Sequence, residues 1–142
     1  MSLLTVILSS ILLVLICVIM HYEFLHYWPR IEGMISKRPR GRILRLVLSL
    51  ILLHSFEMVI FGLGFWTLGS AESFAYMSGV NTFSLTDCIY YAAAVYTTVG
   101  FGDIVPMGPL RFLTGLTGLV GFILITWSAS YTFLEMQRYW ER

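Results

Sequence analysis

Three apolar stretches constrain this chain more than anything else in it. Residues 3–20, 43–68 and 110–134 each approach or exceed the length at which a helix crosses a hydrocarbon core, about 20 residues. In lipid, every backbone N–H and C=O must be bonded within the segment, so such stretches are helices rather than lone strands. Of the 142 residues 58% are hydrophobic and only 12% are charged, which leaves almost nothing for a soluble domain. The expected fold class is an all-α membrane protein with three transmembrane helices. The first stretch lacks the basic start and small-residue cleavage site of a signal peptide, so residues 1–22 are read as a retained N-terminal span.

Charge orients the spans. Arg30, Lys37, Arg38, Arg40, Arg42 and Arg45 are six of the nine basic residues, and all lie from position 30 to the start of the second span. Basic connections stay on the cytoplasmic side, so residues 23–42 are read as a cytoplasmic, partly interfacial connection and the N-terminus as outside. Residues 135–142, with Arg138 and Arg142, then form a short cytoplasmic tail. Anionic lipid headgroups would also attract the basic run, but topology alone accounts for it, and no nucleic-acid partner is expected. Pro29 is expected to end or kink the helix entering from the first span. Cys17 and Cys88 sit in separate segments without metal-ligand spacing and read as buried thiols. No catalytic constellation or phosphate loop is present, so neither an enzyme nor a cofactor is expected.

The connection between the second and third spans is the informative one. Residues 69–84 are polar and rich in small side chains, and include Glu72. Ser84 with Asp87 three residues on has the form of a helix start. Residues 85–97 then favour a helix of about 20 Å, too short to cross. It must enter the membrane and turn back, which lipid tolerates only where the backbone is buried in protein or lines water. Directly after it come Thr97-Thr98-Val99-Gly100-Phe101-Gly102-Asp103. Glycines alternating with larger residues let the main chain take turns closed to most residues, and so aim successive carbonyls one way. Oxygens arranged like this can replace the water around a dehydrated cation.

The run TTVGFGD resembles the selectivity filter of potassium channels, and the likeness extends over residues 43–134. The chain is similar to a bacterial two-transmembrane potassium-channel pore with an extra N-terminal span. The resemblance implies a potassium channel pore domain with an outer helix over 43–68, a re-entrant pore helix over 85–97, a filter over 98–103 and an inner helix over 110–134. It implies a homotetramer around K⁺ ions held by Thr98, Val99, Gly100 and Phe101, with Gly102 completing the filter and the Thr98 hydroxyl closing the innermost site. It also implies that Val99 turns its side chain away from the axis onto the pore helix. Asp103 would mark the outer mouth. Three departures from the commonest bacterial pattern stand out. Phe101 replaces a tyrosine. Ala94 stands where a glutamate pairs with the outer aspartate. Tyr90 stands where a tryptophan donates to that aspartate, and its hydroxyl is a candidate replacement.

Other residues in the spans invite a role. His54 and Glu57 lie on one helical face, where charge must meet protein or water. A pH-sensitive gating pair and an interhelical packing contact are both open for them. Gly115, Gly118 and Gly121 allow close helix packing, and Gly118 or Gly121 is also a candidate hinge. A gapless count along the inner helix puts Phe122 at a common hinge position. Thr126, Ser128 and Ser130 are candidates to wet a central cavity. No span carries an arginine at every third position, so gating by transmembrane voltage is not expected. The gating stimulus is not legible, and a regulatory partner on the first span is one option. The function expected is passive, potassium-selective conduction across the cell membrane. The alternatives are a non-selective cation channel on the same scaffold and an accessory subunit that needs a partner chain.

Overall fold

A computed structural model of the chain describes residues 3–35, 39–70, 77–79 and 84–140. Lys37, Arg38, Glu72 and Arg142 lie outside the described residues. Four helices make up the fold: α1 (Leu3–Ile35), α2 (Pro39–Ser70), α3 (Leu85–Tyr96) and α4 (Leu110–Trp140). Helices α1, α2 and α4 are long and apolar enough to cross a membrane, over Leu3–Met34, Gly41–Ser70 and Leu110–Arg138. Leu4, Leu8, Leu12 and Leu15 of α1 remain exposed, as does Leu48 of α2. In hydrocarbon that exposure costs nothing, which is why these helices need no strong amphipathic pattern.

Helix α1 does not stop near Pro29. It continues through the proline to Ile35, into the stretch that the sequence suggests is a connection. Proline removes one backbone bond, but the last turns are held by packing instead. Leu25 and Trp28 are buried against Leu46, Leu50 and Leu53 of α2. One turn on, fully buried Glu32 accepts Arg45 Nε at 3.1 Å, and Arg45 Nη2 reaches its other oxygen. Arg42 Nε donates to Glu135 of α4 at 3.0 Å, and Arg138 binds the same carboxylate. Three of the basic residues that orient the spans are therefore partners of buried acids.

Helix α3 starts as expected. Extended Ser84 accepts the Asp87 N–H at 3.1 Å and donates its hydroxyl to Asp87 Oδ2 at 2.6 Å, which caps the first turn. One face of α3 packs on α2 at Gly62, where an added Cβ would stand 2.7 Å from the Ile89 Cα. Small Ala92 and Ala94 are buried, and Tyr91 lies edge-on to Phe65 at 5.0 Å. The core joins Cys17 of α1, Phe61 and Phe65 of α2, Tyr96 of α3 and Leu110, Leu113 and Leu124 of α4. Cys88 is also buried and unpaired, and burial followed by the nearby Asp87 charge pushes its thiol up to about 11. That thiol is inert.

The end of α3 fixes its depth. Tyr96 reaches His54 and Glu57, midway along α2, and its carbonyl lies against Gly121, midway along α4. So α3 runs to the middle of the crossing helices and stops. The chain then returns through residues 97–104 to β2 (Val105–Pro106), which pairs antiparallel with β1 (Met77–Ser78). This two-residue ladder carries the far end of the returning loop. Gly79, at φ 98°, packs so tightly beneath the Asp103 carbonyl that a side chain there would strike it.

Candidate functional site

The loop after α3 departs from ordinary backbone in a regular way. Thr98 has φ 62°, Gly100 φ 56° and Gly102 φ 78°, while Val99 and Phe101 between them keep negative φ. Positive and negative φ therefore alternate over five positions. In an extended strand successive carbonyls point to opposite sides. Reversing the sign of φ at every second residue is the backbone change that lets them share one side. Two of the three inversions fall on glycine, where they cost little, and Thr98 bears the third. A Cβ on Gly100 or Gly102 would meet nothing within 4 Å, so the backbone faces open space there.

The loop is anchored to α3 at its inner end. The Thr97 N–H and hydroxyl both bond to the Ala93 carbonyl, at 3.0 and 2.8 Å. Thr98 N–H donates to Val95 O at 2.9 Å, and Gly100 N–H donates to Ala94 O at 3.0 Å. Position 94 thus acts through its carbonyl, and its side chain is a buried methyl. At the outer end the Tyr90 hydroxyl donates to Asp103 Oδ2 at 2.8 Å. That hydrogen bond, with some loss of hydration and the Asp103 charge, pushes the tyrosine pKa above its ordinary value. The Tyr90 ring stacks on Phe101 at 6.2 Å, with the planes 5° apart. Val99 is 57% exposed and Phe101 68% exposed, so within one chain neither side chain is buried on α3.

Beneath the loop lies a buried polar cluster drawn from all four helices. Glu57 Oε1 pairs with His21 Nδ1 at 3.0 Å, and Glu57 Oε2 with His54 Nδ1 at 2.8 Å and with the Tyr96 hydroxyl. Ser128 Oγ lies 3.0 Å from His54 Nε2 and 3.2 Å from His21 Nε2. His21 and Glu57 are fully buried, and Tyr96 is too. The pair expected from sequence is thus brought together, but three partners were missed. His21 reads from sequence as part of an interfacial aromatic run; the signal available was an ionisable ring at the end of an apolar stretch. Ser128 is enclosed here rather than in a cavity, while Thr126 and Ser130 are exposed on α4 and bond back to their own helix. Gly121 meets the end of α3, and a Cβ added at Gly118 would stand in ordinary contact with Val95, 3.6 Å from its Cγ1.

A family model described as an ion channel matches residues 46–138. The chain belongs to this ion-channel family, of the two-transmembrane pore type. This ion channel is a multi-pass membrane protein, and its activity is passive conduction of ions. The match covers α3, the returning loop, most of α2 and nearly all of α4; it leaves α1 outside, and with it His21. No curated protein matches the chain.

Proposed function

We propose that four copies of the chain close a potassium-selective pore around the 98–102 loop. The alternation of backbone handedness at Thr98, Gly100 and Gly102 carries this reading. Repeated around an axis, it supplies rings of carbonyls from Thr98, Val99, Gly100 and Phe101, with the Thr98 hydroxyl below them. Such rings replace the hydration of K⁺, and several ions in file repel one another enough to leave quickly. The carbonyl end of α3, at the middle of the bundle, adds a partial negative charge where a cation must wait. Asp103, held by Tyr90, places carboxylates at the mouth and raises the local cation concentration.

A tetramer also gives the exposed Val99 and Phe101 side chains somewhere to go. Each offers apolar surface beside the loop, where a neighbouring copy rather than water would cover it. The basic residues from Arg30 to Arg45 support a cytoplasmic connection, with the N-terminus and Asp103 outside.

Purified protein in a planar bilayer, with K⁺ on one side and Na⁺ on the other, tests the reading. The expected reversal potential lies near the K⁺ equilibrium value. Clear current reversing near zero would mean a non-selective cation pore and would overturn the assignment.

A further inference from the structure

The cluster beneath the loop is one hydrogen short. Six contacts hold it together: His21 Nδ1–Glu57 Oε1, His54 Nδ1–Glu57 Oε2, Tyr96 Oη–Glu57 Oε2, His54 Nδ1–Tyr96 Oη, His54 Nε2–Ser128 Oγ and His21 Nε2–Ser128 Oγ. Three of them close a triangle of His54 Nδ1, Tyr96 Oη and Glu57 Oε2, which two hydrogens aimed at the carboxylate serve; each of the other three needs its own, so the set takes five. With both imidazoles neutral and Glu57 ionised, each ring supplies one N–H, and Ser128 and Tyr96 one O–H each. Those four hydrogens fall one short of the five required. One pair of lone pairs would be pressed together, beside an unbalanced carboxylate charge between membrane-crossing helices. The count holds for every choice of tautomer.

One added proton removes both faults. With a doubly protonated His54, its Nδ1–H serves Glu57 and its Nε2–H serves Ser128. Ser128 then donates to His21 Nε2, His21 Nδ1–H serves Glu57, and Tyr96 donates to Glu57. All five hydrogens are then in place and the net charge is zero. The mirror arrangement, with His21 doubly protonated, supplies them equally, and the Trp127 ring 5.4 Å from His21 favours a cation there. The polar groups facing the cluster are Cys17 and His21 from α1, His54 and Glu57 from α2, Tyr96 from α3 and Ser128 from α4.

We infer that His21, His54 and Glu57, with Ser128 and Tyr96, form a binding site for a single proton held on one of the two imidazoles beside an ionised Glu57, and that the bound proton fastens α1 to the pore-forming helices. His21 is the point of attachment on α1, which lies outside the ion-channel family match. Tyr96 carries the state of the site to within two residues of Thr98. A divalent metal ion is the other ligand that two imidazoles and a carboxylate could take, since their donor atoms lie within 4.8 Å of one another. Each of those atoms already has a partner at hydrogen-bond distance, and a divalent ion beside one carboxylate would leave a buried positive charge. A proton leaves none. The inference rests on the packing of one chain and not on potassium selectivity.

Nitrogen NMR of the ¹⁵N-histidine-labelled full chain in phospholipid vesicles tests it, with His26→Gln so that only His21 and His54 report. The expected spectrum at neutral pH shows one doubly protonated ring and one singly protonated ring. Raising the pH should convert the first into the second form, one proton per chain. Glu57→Gln removes the charge and supplies amide hydrogens, so neither ring should be doubly protonated at that same neutral pH. Two singly protonated rings in the parent at every pH where the helices persist would overturn the inference. So would a doubly protonated ring that survives unchanged in Glu57→Gln. Neither readout requires current, so both stand whether or not the pore selects potassium.

Discussion

Gly121 of α4 lies directly against the backbone carbonyl of Tyr96, the last residue of α3. A Cβ at position 121 would stand 2.8 Å from the Tyr96 carbonyl carbon and closer still to its oxygen. The oxygen belongs to backbone in the final turn of α3, so it cannot swing aside as a side-chain tip would. The inner helix and the short helix therefore meet backbone to backbone at the level where the loop begins.

Gly121→Ala should force α4 away from α3. Overpacking of this kind costs about 1–3 kcal/mol, more than the ~1 kcal/mol alanine gains over glycine as a helix former. Gly118→Ala meets only an ordinary 3.6 Å contact with Val95 and should keep or raise stability. Thermal unfolding of the two variants in detergent measures the contrast. Equal melting temperatures would contradict the contact at 121.

Gly100→Ala and Gly102→Ala should each leave the helices folded and abolish selective conduction. The space around both positions is open within one chain, so the cost is the left-handed backbone, about 1–2 kcal/mol each. That strain is small against the stability of the bundle, but it falls on the carbonyl that must be turned. Reversal potentials between K⁺ and Na⁺ provide the readout.

Tyr90→Phe removes the donor to Asp103 while keeping the ring on Phe101. The outer end of the loop should loosen, seen as faster decline of current during sustained conduction. The raised pKa of Tyr90 sets the sign of a pH effect. The hydroxyl keeps its proton, and the hydrogen bond persists, above the pH at which a free tyrosine ionises. Only more alkaline solution places two negative charges together and breaks it. Ultraviolet titration of tyrosinate, compared with Asp103→Asn, checks the shift; in that variant the transition should move down.

Glu57→Gln should make conduction insensitive to pH in the range where the parent responds, because the amide holds the cluster neutral without a bound proton. Potassium flux from vesicles at stepped pH measures this. A full pH response retained in Glu57→Gln would place the sensor elsewhere.

Local chemistry made much of the fold legible. The apolar lengths mark three crossing helices, and Ser84 with Asp87 marks the start of α3, because caps and spans are written within a few residues. The resemblance pointed to the loop, and Tyr90 was already a candidate partner for Asp103. Contacts between distant residues were hidden. His21 meets Ser128 across 107 positions, and Arg42 meets Glu135 across 93. Nothing in the neighbourhood of either residue names its partner. Pro29 misled for a related reason. Its local preference is to end a helix, but packing of Leu25 and Trp28 on α2, and the pairing of Glu32 with Arg45, override it.

The pairing of His21 with Glu57 joins residues of the first two helices alone. So does the pairing of Glu32 with Arg45 farther along the same hairpin. During synthesis α1 and α2 emerge before α3 and α4, yet together they already carry partners for the acids they must take into lipid. The hairpin can therefore enter the bilayer as one unit, with Glu57 and Glu32 partnered before the ribosome has made the loop. Ser128 and Tyr96 then arrive to complete a polar centre that the first two helices began.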